Sequence, residues 1–293
     1  MQNKAIITGA GGQLGQELIR TAPGDLECLQ LYRADLDIGD ERAVRACLAQ
    51  HKPHLVINAA AYTAVDLAES EPEQAQRINA RGPANLATAC KEAGTRLLHV
   101  STDFVFDGES STPYTPQTPT APLGEYGRSK LAGEQAVQSI LPAALIMRTG
   151  WVYSSFGSNF VKTMLQLMSE REELSVVADQ RGTPTWANGL AKALWSAAAK
   201  EQLSGVYHWS DEGECSWYDF ALAIAQEGLE SGLLQRTVKI KPIPATQYPT
   251  PAQRPTYSVL DKTESWRDLE LQGVHWRTQL QNMLRDFKEL ENV

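Results

Sequence analysis

Tyr126 and Lys130 stand four residues apart in the stretch Glu-Tyr-Gly-Arg-Ser-Lys-Leu-Ala-Gly-Glu, 125–134. On a helix, positions i and i+4 share a face, with Cβ atoms about 5–6 Å apart. An ammonium held there favours phenolate over phenol and so lowers the tyrosine pKa. A phenol tuned in this way can give a proton to a carbonyl oxygen as the carbonyl is reduced. The same spacing also occurs as a plain surface pair, so its meaning depends on the rest of the chain. Thr102 ends the apolar run Arg-Leu-Leu-His-Val-Ser-Thr, 96–102, where a hydroxyl can be offered to a substrate oxygen. A hydroxyl, a phenol and an ammonium around one carbonyl can polarise it and then protonate the alkoxide.

A glycine loop, Thr-Gly-Ala-Gly-Gly-Gln-Leu-Gly at 8–15, follows the first apolar run and opens the first helical stretch. Gly9 suits a tight turn, Gly12 lets a pyrophosphate approach the backbone, and Gly15 permits close helix–strand packing. The second apolar run ends in Tyr32 and Arg33, where an NAD-specific site would offer a carboxylate to the ribose 2′-hydroxyl. An arginine there suits a 2′-phosphate, so NADPH is expected, with NADH as the alternative. Asp37 lies where it can accept from an adenine amino group or cap the following helix. The alanines of Asn-Ala-Ala-Ala-Tyr-Thr, 58–63, let the chain pass close to a cofactor.

Strand-like and helix-like runs alternate over residues 1–150. Strands are expected at 5–8, 26–32, 54–61, 96–102 and 143–150. Helices are expected at 13–22, 40–51, 71–94 (bending at Gly82-Pro83) and 127–140. This rhythm predicts α/β architecture: a Rossmann-type, doubly wound parallel sheet whose ligands sit at the carboxyl ends of the strands. Residues 151–293 are expected to form mainly a smaller α+β substrate-binding domain, with about 185–205 and part of 235–260 returning to the first domain. Helices are expected at 159–172, 187–201 and 216–232 (capped by Ser216), with a last one from Trp276. The proline-dense stretch 240–261 is expected to run extended.

The chain has 293 residues, 42% of them hydrophobic, and a net charge of −8. That length accommodates one large or two smaller units. The acidic balance argues against nucleic-acid or membrane-surface partners, which call for basic clusters. Cys28, Cys47, Cys90 and Cys215 form no metal-type spacing with one another or with the histidines, so no metal site and reduced thiols are expected. With no secretory leader and no long apolar span in the sequence, a cytoplasmic protein is expected.

Together these features resemble the extended short-chain dehydrogenase/reductase superfamily, and within it the dTDP-4-dehydrorhamnose reductase family along nearly the whole length. The resemblance is carried by Gly-Ala-Gly-Gly-Gln-Leu-Gly-Gln-Glu-Leu (9–18), Asn-Ala-Ala-Ala-Tyr-Thr-Ala-Val-Asp (58–66), Val-Ser-Thr-Asp-Phe-Val-Phe-Asp-Gly (100–108) and Tyr-Gly-Arg-Ser-Lys (126–130). Later stretches add Arg-Thr-Gly-Trp-Val-Tyr (148–153), Asn-Phe-Val-Lys-Thr-Met-Leu (159–165), Asp-Gln-Arg-Gly-Thr-Pro-Thr (179–185) and Arg-Pro-Thr-Tyr-Ser-Val-Leu-Asp (254–261).

The resemblance implies reduction of the 4-keto group of a dTDP-linked 4-keto-6-deoxy sugar, with Thr102, Tyr126 and Lys130 as the catalytic set. It places the cofactor on Gly9, Gly12, Gln13, Leu14 and Gly15, on Asp37 and Ile38, and on Ala61, Tyr62 and Thr63. Asp103, Trp151 and Asn159 join the sugar side. A dTDP-sugar carries two phosphates, and in an acidic protein they need specific cations; Arg254, stiffened by neighbouring prolines, is the expected one. Some relatives form magnesium-bridged dimers. Glu17 matches one such position, but Asn188 stands where a second carboxylate would be, so Mg²⁺ is not expected and a monomer or homodimer stays open. A nucleotide-sugar dehydratase or epimerase is the rival enzyme; a dehydratase would want a second carboxylate after Asp103, where Phe104 stands. A cofactor-binding regulatory subunit, of the kind that modulates methionine adenosyltransferase, is the non-catalytic rival, and the intact Thr102, Tyr126 and Lys130 argue against it.

Overall fold

The computed structural model describes residues 4–291. Strands β1 (Lys4–Thr8), β2 (Glu27–Leu31), β3 (Leu55–Asn58), β4 (Arg96–Thr102) and β5 (Leu145–Thr149) join the strand Gly205–His208 in one six-stranded sheet. Its order is Gly205–His208, β5, β4, β3, β1, β2, and every pairing is parallel. A parallel sheet is covered on both faces, and the side-chain alternation shows it. Ala5, Ile7, Leu55, Ile57 and Leu98 enter one core with Leu18, Leu190 and Leu194. Ile6, Val56, Leu97 and Ile146 enter the opposite core with Val44, Leu48, Leu86 and Val137.

Helices Gln13–Arg20 and Ala187–Ala199 therefore lie on one face, and Glu41–His51, Gly82–Ala93 and Glu125–Ile140 on the other. The chain steps outward from β1 to β2 and then returns to the other side of β1 as β3. That reversal opens a crevice at the carboxyl ends of the strands, where ligands of such sheets bind.

A third core gathers Val161, Met164, Phe220, Ile224, Leu280 and Met283. It is built from helices Phe160–Glu170, Trp217–Glu230 and Trp276–Glu291 around the parallel strand pair Glu173–Val177 and Lys239–Ile243. Ser216 and Asp219 form a reciprocal capping box on the second of these helices, as the sequence leads one to expect.

Three departures from the sequence-based expectation affect the site. The strand expected at 54–61 ends at Asn58, so Ala59–Thr63 is loop. The helical stretch 71–94 is irregular at a π turn, Arg77–Arg81, rather than at Gly82-Pro83. Pro83 falls in the first turn of Gly82–Ala93, where its missing N–H costs nothing. The stretch 240–261 opens with the strand Lys239–Ile243 and a 3₁₀ turn at Ala245–Gln247. It then runs extended as a strap, bridging Tyr114 through Leu260 and Arg181 through Tyr257. The short helix Thr263–Leu269 after it was not foreseen.

Candidate active site

The glycine loop is shaped by what it cannot hold. Gly9 has φ +69°, and a Cβ there would fall 2.7 Å from the Ala60 backbone. A Cβ on Gly15 would lie 2.3 Å from the Gly9 carbonyl, so the first helix packs hard against the turn. Gly12 differs, because its nearest neighbour would be 3.3 Å away. It is the N-cap of Gln13–Arg20, and no side chain caps that end. The first N–H groups of the helix thus face a cavity of about 600 Å³, an arrangement suited to a phosphate.

The Ala59–Ala61 loop is held by buried polar groups. Asn58 Oδ1 accepts from Thr8 Oγ1 at 2.7 Å and from the Ala60 N–H at 3.2 Å, while Asn58 Nδ2 contacts His99 Nδ1 at 3.0 Å. Burial and the nearby Lys130 charge hold His99 well below the usual imidazole range, so its ring is neutral.

Along the far wall, Arg33, Asp37 and Ile38 line the cavity. Tyr32 does not; it is 46% exposed, with its ring beside Gly11. Asp40, not Asp37, caps helix Glu41–His51. Asp37 accepts from the Gly39 N–H at 2.9 Å and pairs with the Arg77 guanidinium. Burial pulls its carboxyl upward, but Arg77, the Gly39 N–H and Arg33 outweigh this and hold it below the usual range.

Ala61, Tyr62 and Thr63 also line the cavity. The Tyr62 backbone is clamped by Asn79, which accepts from its N–H at 2.8 Å and donates to its carbonyl at 2.9 Å. Asn79 Nδ2 also reaches Ser129 Oγ at 3.0 Å on the helix of Tyr126. Asn79 sits in the π turn, a feature often found at functional sites.

Thr102, Tyr126 and Lys130 all line the cavity. Helix Glu125–Ile140 brings Tyr126 and Lys130 onto one face, and the carboxyl end of β4 brings Thr102. The helix is pinned to β5 by the buried Arg148–Glu134 pair, with Nε–Oε1 at 2.9 Å and Nη2–Oε2 at 2.6 Å. Lys130 Nζ donates to the Val100 carbonyl at 2.7 Å. Burial pushes its ammonium down to about 8, with Glu134 opposing that shift.

The phenol departs from the expectation that lysine would lower it. Burial pushes Tyr126 up to about 12, against a hydrogen bond with Thr102 and with the Asp103 charge adding to the rise. The lysine charge is directed at a carbonyl, and enclosure decides the phenol's state. Phe104 packs edge-on against the Tyr126 ring, with centroids 5.5 Å apart.

Trp151 lines the cavity in a left-handed backbone conformation, φ +49°, which costs a non-glycine residue of order 1–3 kcal/mol. Its ring stacks on Trp217 at a 3.4 Å centroid separation and a 5° interplanar angle, and its carbonyl accepts from the Thr185 N–H at 3.1 Å.

Two residues of the expected substrate set stand back from the cavity lining. Asn159 caps helix Phe160–Glu170 and donates to Gln13 Oε1 at 3.0 Å. Arg254, on the strap, grips Asp66 with two bonds of 3.0 and 2.8 Å. Glu17 is buried and spends its oxygens on Ser154 (2.8 Å), Asn188 (3.0 Å) and Arg20 (2.7 Å). No group of His, Cys, Asp and Glu suited to a metal occurs among the described residues.

Sequence reasoning missed Asn79, Asp66, Trp217 and Thr149. Thr149 lines the cavity, and its buried hydroxyl has no partner; its place at the end of β5, level with Thr102, was the available signal.

A six-stranded parallel sheet, a glycine loop at its switch point and a Thr–Tyr–Lys set on the same cavity define a dinucleotide-binding protein of the extended short-chain dehydrogenase/reductase kind. Residues 3–289 match the family model described as the RmlD substrate binding domain, and the chain belongs to that family. A dTDP-4-dehydrorhamnose reductase from Aggregatibacter actinomycetemcomitans is 40% identical over 287 residues, covering 96% of this chain and 98% of that protein. The crystal structure of a dTDP-4-dehydrorhamnose reductase from Clostridium acetobutylicum matches with TM-score 0.92 and 39% identity, covering 97% and 99% of the two chains. That of a Bacillus anthracis dTDP-4-dehydrorhamnose reductase in complex with NADP matches with TM-score 0.91 and 36% identity, covering 98% and 100%.

Proposed function

We propose that this protein reduces the 4-keto group of dTDP-4-dehydrorhamnose with NADPH, giving dTDP-L-rhamnose. The observation that carries the reading is the convergence of Thr102, Tyr126 and Lys130 on the cavity opened by the glycine loop. The cofactor fits the residues present. Gln13 and Leu14 offer helix N–H groups to its pyrophosphate, which Gly12 allows to come close, Arg33 its guanidinium to a 2′-phosphate, and Thr149 an unpartnered hydroxyl at the cavity wall. When bound, NADPH supplies the hydride.

The chain's own residues handle the proton and the orientation. With its pKa pushed to about 12, Tyr126 is protonated at neutral pH and holds a proton at Oη for the alkoxide, a stronger base. Thr102 polarises the carbonyl, and the buried Lys130 supplies positive charge beside it. Trp151 and Asp103 wall the sugar side, and Asn159 acts from outside the lining through Gln13. Arg254 is the cation assigned to the diphosphate: Asp66 takes the Nη1–Nη2 end of its guanidinium and fixes the plane, and the Nε edge is the one to meet a phosphate oxygen.

NADPH oxidation followed on adding the dTDP-linked ketosugar, with a GDP-linked ketosugar as comparison, tests the reading. Turnover with the dTDP-linked substrate is expected. An epimerase or dehydratase would show no net oxidation, and a regulatory subunit no turnover.

A further inference from the structure

Asp103 is 2% exposed and adjoins Thr102, and the contacts of this pair set an ionised Asp103 in competition with the cavity for the Thr102 proton. A threonine hydroxyl has one proton and two lone pairs. The Phe104 N–H donates to Thr102 Oγ1 at 3.2 Å and occupies one lone pair. An ionised carboxylate can only accept, so the single Thr102 proton goes to Asp103 Oδ1, 3.1 Å away. The lone pair that remains is available to the Tyr126 phenol, its hydrogen-bond partner. Thr102 then has nothing to donate to a carbonyl oxygen. A proton on Asp103 reverses the line: the acid donates to Thr102 Oγ1, both lone pairs are filled, and the hydroxyl proton is released into the cavity.

We propose that Asp103 is a positioning residue that sets the direction of the Thr102 hydroxyl, and that neutral Asp103 is the form in which the pocket offers a donor to the substrate carbonyl. The inference rests on the ketoreductase reading above. The surroundings of Asp103 suit the neutral form. A Cβ on Gly150 would lie 2.4 Å from its Oδ2, so β5 leaves no room for water on that side. Burial pushes the carboxyl up to about 6, against hydrogen bonds from Ser258, Thr102 and backbone N–H groups. Ser258 comes from the strap, Thr102 and Phe104 from the end of β4, and Gly150 from the end of β5. Tyr126, on the helix Glu125–Ile140, is the titratable group that feels the Asp103 charge.

The test is kcat/KM for the ketosugar nucleotide against pH, at saturating NADPH, for the wild type, Asp103→Asn and Ser258→Ala. In the wild type, kcat/KM should fall about tenfold per pH unit above an apparent pKa near 6. The asparagine amide donates to Thr102 at every pH, so Asp103→Asn should lose this limb and exceed the wild type at pH 8. Ser258→Ala removes a donor that favours the carboxylate, so the limb should move to higher pH. A merely structural role would lower rates without moving the limb. NADPH binding, read by its fluorescence, reports folding of each variant; if Asp103→Asn fails to bind, the Ser258→Ala shift decides alone. A wild-type limb retained in Asp103→Asn, or a limb unmoved in Ser258→Ala, overturns the inference. A wild type that binds NADPH yet shows no turnover at any pH overturns the ketoreductase reading, and the inference with it.

Discussion

The glycine loop lines the cavity and the strap braces two residues beside it, Asp66 and Asp103, and the two are specified by opposite means. The loop works by vacancy: Gly9 and Gly15 leave no space for a Cβ, and Gly12 keeps the helix end open. The strap works by side chains. Arg254 grips Asp66, Thr256 donates to the Gly108 carbonyl at 2.7 Å, and Ser258 bonds the buried Asp103. Gly108, at φ +78°, yields to it, since a Cβ there would strike Pro255 at 2.5 Å. A vacancy is either kept or filled, whereas a set of hydrogen bonds can be weakened one at a time. Changes at the closed glycines, Gly9 and Gly15, should therefore act on folding and cofactor together, a change at Gly12 on cofactor alone, and changes on the strap on sugar-nucleotide KM in steps.

Tyr126, the proposed proton donor, gives the largest effect. Tyr126→Phe should lower kcat by about 10²–10⁴-fold, the usual share of general acid catalysis, and leave NADPH affinity unchanged in a fluorescence titration. A kcat above half of wild type would remove Tyr126 from the proton transfer.

Gly15→Ala should destabilise the fold by about 1–3 kcal/mol, the ordinary cost of overpacking, because the new methyl meets backbone at 2.3 Å. Gly12→Ala should leave the melting temperature near wild type and weaken NADPH binding. If both variants lose stability equally, the distinction between closed and open glycines fails.

Arg254→Lys should raise the sugar-nucleotide KM roughly ten- to a hundredfold through loss of charge-assisted bonds. The KM for NADPH should not move. An equal rise in both would place Arg254 outside the substrate site.

Arg33→Glu is the mildest change. The carboxylate repels a 2′-phosphate and can accept from a 2′-hydroxyl, so the ratio of kcat/KM for NADPH over NADH should fall. An unchanged ratio would make Arg33 a solvated strand end.

What the sequence disclosed follows the same division. The βαβ rhythm, the glycine turn and the Tyr126–Lys130 pair are local, with periods of two, three or four residues, and they could be read directly. The pairing of Arg254 with Asp66 spans 188 residues, and no local pattern announces it. Trp217 stacks on Trp151 across the third core, again with no shared stretch of chain. The tyrosine's ionisation was misjudged for a related reason: spacing reported the neighbouring lysine, but enclosure by the whole fold outweighs it. Asn79 escaped notice because an asparagine within a helical run reads as surface, and only the π turn directs it to Tyr62 and Ser129.

That turn is one residue more than an α-helix needs. A π turn winds that extra residue into nearly the same arc, so the helical stretches on either side keep their phase, and Ala75 stays buried while Asn79 is bulged toward Tyr62. Removing one residue from Arg77–Arg81 would close the bulge and leave both flanks nearly unturned, so the loss would fall on the clamp at Tyr62 and not on the core, as when slack rather than a link is taken out of a chain.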